Sequence, residues 1–162
     1  MSPLGPATEQ VIKTTPLTVH RRVRWGECDP AGVVYTVNFC GYVASAFELF
    51  MAALLGGPLQ TMKQRYSLAT PARALALEFM APLRPDEEFT MTVAVAHVRT
   101  KTFDLVIVGR CIDGRDTFRA KLTAISVDPE NRTAIPMPDV LRQHLDRYKG
   151  ACDVFAHGDA DV

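Results

Sequence analysis

The chain has 162 residues, 48% of them hydrophobic, and its 18 basic and 18 acidic side chains give a formal net charge of zero. This length suits one domain with a core of its own, and the balanced charge offers no basic field for nucleic acid. No signal-peptide pattern is visible. The apolar run 42–55 contains Glu48 and is too short for a membrane span. The four cysteines form no CxxC pair. We therefore expect a cytoplasmic protein that binds neither nucleic acid nor membranes.

In the first half of the chain the spacing of apolar residues changes once, from that of a strand to that of a helix. Residues 1–16 hold three prolines and no periodicity, which predicts a flexible N-terminal arm. Strict alternation over 17–25 predicts a strand. From residue 37 the apolar spacing becomes i, i+3, i+4, which predicts a long helix over 37–55, ended by Gly56-Gly57-Pro58. Few charges lie on the other side of this helix, so we expect it to be buried.

The second half reads mainly as strands. Residues 59–67 are ambiguous, a short helix is predicted over 140–148, and 149–162 are expected to form a C-terminal tail. Four alternating segments predict strands over 72–80, 89–96, 103–108 and 117–127. The order predicts one α+β domain over 17–148, with a five-stranded antiparallel sheet wrapped around the long helix. Its open edges favour self-association.

One motif lies between the first strand and the long helix. Asp29-Pro30-Ala31-Gly32 predicts a turn, because proline fixes φ and glycine tolerates positive φ. The turn holds a carboxylate just ahead of a helix start, where unpaired N–H groups lie. Such a carboxylate can attack a carbonyl, or direct a water at it, while the donors hold the oxyanion. The alternative is an ordinary turn aspartate that bonds only its own backbone.

The motif and element order resemble those of the 4-hydroxybenzoyl-CoA thioesterase family of the hotdog fold, Pseudomonas-type branch. The resemblance covers roughly residues 17–148. Its most specific part is the block from Trp25 to Val34 followed by Asn38; Arg99-x-Lys101-Thr102-Phe103 and Pro136-Met137-Pro138 also match. It implies an acyl-CoA thioester hydrolase that acts as a homodimer or homotetramer.

The resemblance also implies roles for individual residues. Asp29 matches the catalytic carboxylate, which acts as nucleophile or as general base. The backbone N–H of Thr36 matches the donor that polarises the thioester carbonyl, and Gly32 matches the glycine beside which the acyl group approaches. A thiolate leaves without strong acid assistance, so carboxylate and donor suffice. No cofactor is expected, since coenzyme A belongs to the substrate.

Further positions are implied to bind substrate. Arg99 and Lys101 lie where the family places cations over the CoA phosphates, although a solvated turn explains them equally. The acyl pocket is implied between the Asp29 loop of one subunit and the partner's helix near Ala44 and Phe47.

Two of these positions bear on the substrate and on the helix start. Ala44 replaces an acid that binds the ring hydroxyl in the 4-hydroxybenzoyl branch, so we expect a different aroyl or a medium apolar acyl group. Asn38 is expected to orient a water or to cap the helix.

Other interpretations stay open. Glu48 is a second candidate carboxylate, and Cys28 is a nucleophile candidate without a neighbouring histidine. The histidines show no spacing typical of a metal site. A non-catalytic acyl-CoA binder or regulatory protein on the same fold is the main functional alternative, and a hotdog dehydratase is a weaker one.

Overall fold

The computed structural model describes residues 7–156 of the chain, with side chains for residues 7–153. The six strands are β1 Glu9–Thr14, β2 Leu17–Arg22, β3 Ala72–Phe79, β4 Glu88–Val98, β5 Thr102–Cys111 and β6 Asp116–Ile125. The three α-helices are α1 Asn38–Leu55, α2 Leu59–Tyr66 and α3 Asp139–Ala156, and a short 3-10 turn spans Trp25–Glu27.

The strands form one antiparallel sheet in the order β1-β2-β4-β5-β6-β3. With α1 against its inner face this is the predicted α+β hotdog arrangement, which is confirmed, but with six strands instead of five. The extra strand is β1, so the predicted arm is wrong for Glu9–Thr14; residues 1–6 lie outside the described part. Periodicity missed β1 because it buries little of itself and is stabilised by pairing with β2.

The core lies between α1 and the inner face of the sheet. Fully buried side chains of α1, among them Val43 and Phe50, meet the buried sheet residues Phe89, Phe103 and Phe118. Gly56 ends the helix with φ +83, so the predicted stop signal is confirmed. By length and composition alone α1 is apolar enough to cross a membrane, which is weak evidence because core helices pass the same test.

The last helix is twice as long as expected. The sequence predicts a helix over 140–148 and a tail over 149–162, whereas α3 continues to Ala156, so the tail is wrong for residues 149–156; residues 157–162 lie outside the described part. Tyr148 anchors α3: its hydroxyl donates to the Val93 carbonyl at 2.6 Å and accepts from the Leu17 N–H at 2.7 Å. Gly150 does not end the helix, because a glycine stops one only where it turns left-handed.

Strand β3 is one of the two edge strands of the sheet, and β1 is the other. Its side chains at Leu75, Leu77 and Phe79 are in register with inner-face residues of β6. Phe79 packs on Phe39 of α1, with ring centroids 5.0 Å apart, yet it stays 49% exposed, and Leu75 is 41% exposed. The inner face of β3 is therefore apolar and largely uncovered.

Candidate active site

The Asp29 motif forms the predicted turn. The Gly32 N–H donates to the Asp29 carbonyl at 2.9 Å, and the Asp29 N–H donates to the Val33 carbonyl at 2.9 Å. Gly32 has φ +77, a conformation that a side chain would strain. An isolated antiparallel β-bridge between Cys28 and Val34 joins the two arms of the turn. The loop is thus a small hairpin with a fixed tip.

One oxygen of the Asp29 carboxylate makes the backbone hydrogen bond that is typical of a turn aspartate. Its Oδ1 accepts the Ala31 N–H at 2.8 Å, which is the local bond of such a turn. Its Oδ2 has no partner within the part of the chain that the structure describes, and the residue is half-buried. One oxygen therefore orients the group while the other remains available to a reactant.

The start of α1 offers unpaired donors close to this loop in sequence. The N–H groups of Tyr35, Asn38 and Phe39 donate to the carbonyls of Glu27, Tyr35 and Thr36. Within residues 7–156 the Thr36 N–H finds no acceptor. A helix start carries partial positive charge, so an unpaired N–H there suits a carbonyl oxygen that becomes negative.

An apolar cleft of about 310 Å³ opens beside these donors. Its walls come from the loop, the start of α1 and the end of β3, namely Val33, Val34, Thr36, Phe39, Phe79, Met80, Ala81, Pro82 and Leu83. The cleft thus lies next to the uncovered edge of the sheet.

A buried ionic network underlies the loop, and the sequence analysis missed it. Glu27 accepts the Arg24 N–H at 2.9 Å and the Tyr42 hydroxyl at 2.8 Å, and it pairs with Arg21. Arg21 also pairs with Glu9 of β1 at 2.7 Å. A signal was present: the alternation of the first strand puts Arg21 in phase with the buried Leu17 and Val19, and a charge in that phase needs a buried partner.

This network keeps Glu27 ionised. Burial alone raises the pKa of the Glu27 carboxyl, but the Arg24 N–H, the Tyr42 hydroxyl and the Arg21 guanidinium outweigh it and hold that pKa below its ordinary value. Burial, reinforced by Glu27, raises the pKa of the Tyr42 phenol in turn. Tyr42 therefore stays protonated and acts as a hydrogen-bond donor.

The alternative site residues gain little support. Burial, together with the charges of Glu27 and Asp29, raises the pKa of the Cys28 thiol, so this cysteine is a poor nucleophile at neutral pH. Glu48 is exposed on α1. Among the described residues no group of three or more His, Cys, Asp or Glu side chains is placed to hold a metal ion.

Asn38 has a structural contact where a cap was expected. Its side-chain amide donates to the Glu27 carbonyl at 2.7 Å and does not cap α1, whose N-cap position is Val37. Capping as the explanation of Asn38 is therefore wrong, because the amide is drawn back to the loop. A role of Asn38 toward substrate stays a prediction.

The predicted phosphate-binding pair lies at the tip between β4 and β5. The Arg99 guanidinium bonds Asp104 at 2.9 Å, and Thr123 donates to the same carboxylate at 2.7 Å. The bond from Arg99 holds the pKa of the Asp104 carboxyl well below its usual range. Lys101 is exposed and its side chain has no partner among residues 7–153. Of the two cations, Lys101 is the one whose charged group no described side chain engages.

Phe47 lines a second, larger apolar cavity of about 480 Å³. Its walls come from α1, α2, the segment before β3 and the segment after β6, and they consist of Phe47, Met51, Leu55, Leu59, Gln60, Met62, Lys63, Leu68, Ala69, Thr70, Pro71, Val127, Pro129 and Arg132. We call it the α1–α2 pocket. It contains no acidic side chain. Ala44, three residues before Phe47, is exposed on the same helix.

The predicted site residues thus form two groups at opposite ends of β3. Asp29, Gly32, Thr36 and Asn38 lie near the end marked by Phe79; the α1–α2 pocket and the tip with Lys101 lie near the end marked by Ala72. The two ends of this eight-residue strand lie roughly 23 Å apart at the rise of an antiparallel strand. One chain does not bring the groups together.

Comparisons with known proteins agree on a family. The profile of the Thioesterase-like superfamily matches residues 23–145. A 4-hydroxybenzoyl-CoA thioesterase from Pseudomonas sp. (strain CBS-3) is 27% identical over 54% of this chain, a match that spans only 62% of that enzyme's length.

A 1,4-dihydroxy-2-naphthoyl-CoA hydrolase from Thermosynechococcus vestitus is 27% identical over 80% of this chain and 89% of its own. A Staphylococcus aureus protein solved in complex with CoA superposes with a TM-score of 0.77 at 13% identity, covering 91% of this chain and 89% of its own. The family resemblance predicted from the motif is confirmed.

Proposed function

This chain belongs to the Thioesterase-like superfamily, and from that premise we propose that it hydrolyses acyl-CoA thioesters with Asp29 as the reacting carboxylate. One observation carries the proposal: a carboxylate oxygen and the Thr36 N–H, neither of which has a partner among the described residues, belong to the same short loop, beside an apolar cleft. A purely structural turn needs neither of these features.

The chemistry follows from these two groups. The thioester carbonyl oxygen accepts the Thr36 N–H, which stabilises the negative charge that develops on it. The free oxygen of Asp29 either attacks the carbonyl carbon, giving a mixed anhydride that water then cleaves, or takes a proton from the water that attacks. In both routes the C–S bond breaks and coenzyme A leaves as a thiolate, which needs no strong acid.

The complete site requires a second copy of the chain. Antiparallel pairing of two β3 edges about a two-fold axis satisfies the open backbone and covers Leu75 and Phe79. It also sets Phe79 of one copy beside Ala72 of the other. The Asp29 cleft of one subunit then meets the α1–α2 pocket and Lys101 of its partner. We therefore propose a homodimer, or a tetramer built from it, with two shared sites.

The acyl group is an unsubstituted aroyl or a medium apolar acyl chain. The α1–α2 pocket is mostly apolar and has no carboxylate to accept a ring hydroxyl, and Ala44 supplies none either. A ring hydroxyl loses its hydrogen bonds to water there, and pairing with the neutral Gln60 or Thr70 returns less than pairing with a carboxylate, which disfavours hydroxylated rings. The acyl group proposed for this chain therefore differs from the hydroxylated substrates in the names of the two enzymes above.

The cysteines of the chain are free thiols, which fits a reducing cytoplasm.

A panel of acyl-CoAs tests the proposal. Hexanoyl-, decanoyl-, benzoyl- and 4-hydroxybenzoyl-CoA are mixed with the protein, and the released thiol is followed with a colorimetric reagent. We expect turnover of the apolar members and weaker turnover of 4-hydroxybenzoyl-CoA. Calorimetric binding without thiol release from any member favours the non-catalytic binder and ends the proposal.

A further inference from the structure

Glu27 stands at the base of the catalytic loop, and no role in the reaction has been assigned to it above. We propose that Glu27 is a positioning residue: together with Tyr42 it fixes the geometry between the Asp29 carboxylate and the Thr36 N–H. This inference rests on the proposed function for its kinetic readout, and on the loop geometry alone for its structural one.

The backbone of Glu27 closes the loop. Its carbonyl accepts the Tyr35 N–H at 3.0 Å and the Asn38 side chain at 2.7 Å. Asp29 lies two residues beyond Glu27 on one arm of the loop, and Thr36 lies one residue beyond Tyr35 on the other. Both reacting groups are therefore held relative to the same residue.

The side chain of Glu27 fastens that base to the rest of the fold. Its Oε2 receives bonds from the Arg24 N–H and the Tyr42 hydroxyl, while its Oε1 pairs with Arg21. Glu27 thereby joins the 3-10 turn, strand β2 and helix α1, and Arg21 also lies over the Tyr42 ring at 4.6 Å. The group is buried, at 9% exposure, so its bonds are protected from water.

This arrangement predicts a kinetic signature. Neither Glu27 nor Tyr42 lines the cleft, so their loss should leave substrate binding nearly intact. Displacing the carboxylate or the donor by about 1 Å costs on the order of 10²-fold in rate, since alignment in the transition state is lost. Changes in this network should therefore lower kcat and spare KM.

Tyr42→Phe and Tyr148→Phe form a matched pair of variants. Each removes one tyrosine hydroxyl that donates to an oxygen of the fold, but Tyr148 lies on α3, against Leu17 and Val93, away from the loop. Both should lower the melting temperature by several degrees, because each loses the hydrogen bonds of one hydroxyl. We expect Tyr42→Phe to lower kcat about 10-fold with KM within about 2-fold of wild type, and Tyr148→Phe to keep kcat.

Two further measurements complete the test. Glu27→Gln should lower kcat more than Tyr42→Phe, because Glu27 also holds Arg24 and Arg21. The double variant should lose about as much as Glu27→Gln alone, because Tyr42 acts on the loop only through Glu27. Hydrogen exchange of the amides in 28–36 should quicken in Tyr42→Phe and not in Tyr148→Phe. This second readout needs no substrate, so it remains decisive if the wild type hydrolyses none of the acyl-CoAs and the proposed function falls.

The proposal is overturned if Tyr42→Phe and Tyr148→Phe lower the melting temperature alike while both keep the kcat and loop exchange of wild type. A rise in KM at constant kcat also contradicts it, because the network would then contribute to binding. If Glu27→Gln does not fold, Tyr42→Phe alone decides between these results.

Discussion

The two ends of strand β3 are built in different ways. The end near Phe79 holds the Asp29 loop, fixed by a tight turn and by buried charges around Glu27. The end near Ala72 holds the α1–α2 pocket, which is lined with Met51 and Met62, and an exposed cation at Lys101. Reacting groups need fixed geometry, whereas an apolar chain and a phosphate tolerate adaptable surroundings. The contrast suggests that chemistry and binding are divided between the ends and reunited by a second copy.

Each end of β3 also contains a buried carboxylate, and the two carboxylates bond different groups. Glu27 holds the Asp29 loop, whereas Asp104 holds Arg99, one of the cations expected to bind phosphate. The first arrangement supports the predicted site; the second takes one predicted ligand-binding residue partly out of use. The predictions below test this division, in order of decreasing expected effect.

Asp29→Asn should remove most of the activity. The amide keeps the turn bond from Ala31 but can neither attack nor accept a proton, so kcat should fall on the order of 10²–10⁴-fold. Asp113→Asn is the matched control, because Asp113 accepts the Arg115 N–H in the same kind of turn at 3.0 Å, between β5 and β6. Steady-state thiol release measures both. Near-wild-type turnover by Asp29→Asn on its best substrate would show that the chemistry lies elsewhere.

Lys101→Ala should weaken substrate binding and leave the chemistry alone. A contact to a remote phosphate holds ground state and transition state equally, so KM for a CoA thioester should rise about 3–10-fold at constant kcat. The effect should shrink in high salt, since exposed charges are screened. Arg99→Ala should change KM less, because Arg99 already bonds Asp104.

A truncated thioester without the nucleotide serves as the control for Lys101→Ala. Its KM should not respond to the substitution. Equal increases in KM for both thioesters would mean that Lys101 does not touch the phosphates.

Asp104→Asn should alter stability in a pH-dependent way without altering kcat. Because Arg99 first, and then Thr123 and Lys121, lower its pKa in the folded chain, Asp104 stabilises the fold fully above the unfolded pKa of about 3.9. This contribution is lost as pH falls toward the folded value. The gap in melting temperature between wild type and Asp104→Asn should stay constant from about pH 7 to 5 and narrow below about pH 4. A gap that does not change with pH would mean that the charge of Asp104 does not stabilise the fold.

Much of the fold follows from periodicity. Apolar spacing predicts the long helix and five of the six strands, and Gly56 predicts the end of α1. Strand β1 was missed because its pairing with the backbone of β2 holds it in place. The extension of α3 past Tyr148, which itself contacts Leu17 and Val93, was missed as well. Local pattern does not contain such partners.

The candidate site, like the fold, could be predicted in part from the sequence. The turn at Asp29 and the proximity of Thr36 follow from a short stretch of chain, so sequence alone places them together. That Arg99 bonds Asp104 follows from the bend between β4 and β5, and the network of Glu27 joins residues from four elements, so neither is visible in local sequence. The distance between Asp29 and Phe47 depends on how α1 packs along the sheet, which the local sequence does not show.

The most direct test of the central claim, one site built from two chains, is a mixing experiment. Asp29→Asn lacks the carboxylate, and Ala69→Trp fills the α1–α2 pocket, which Ala69 lines. Each variant should be nearly inactive alone. After subunit exchange, about half the dimers are mixed and each mixed dimer has one intact site, so activity should return to about a quarter of the wild-type value. A mixture that stays inactive after exchange, or an active monomer in sedimentation at assay concentration, would contradict the shared site.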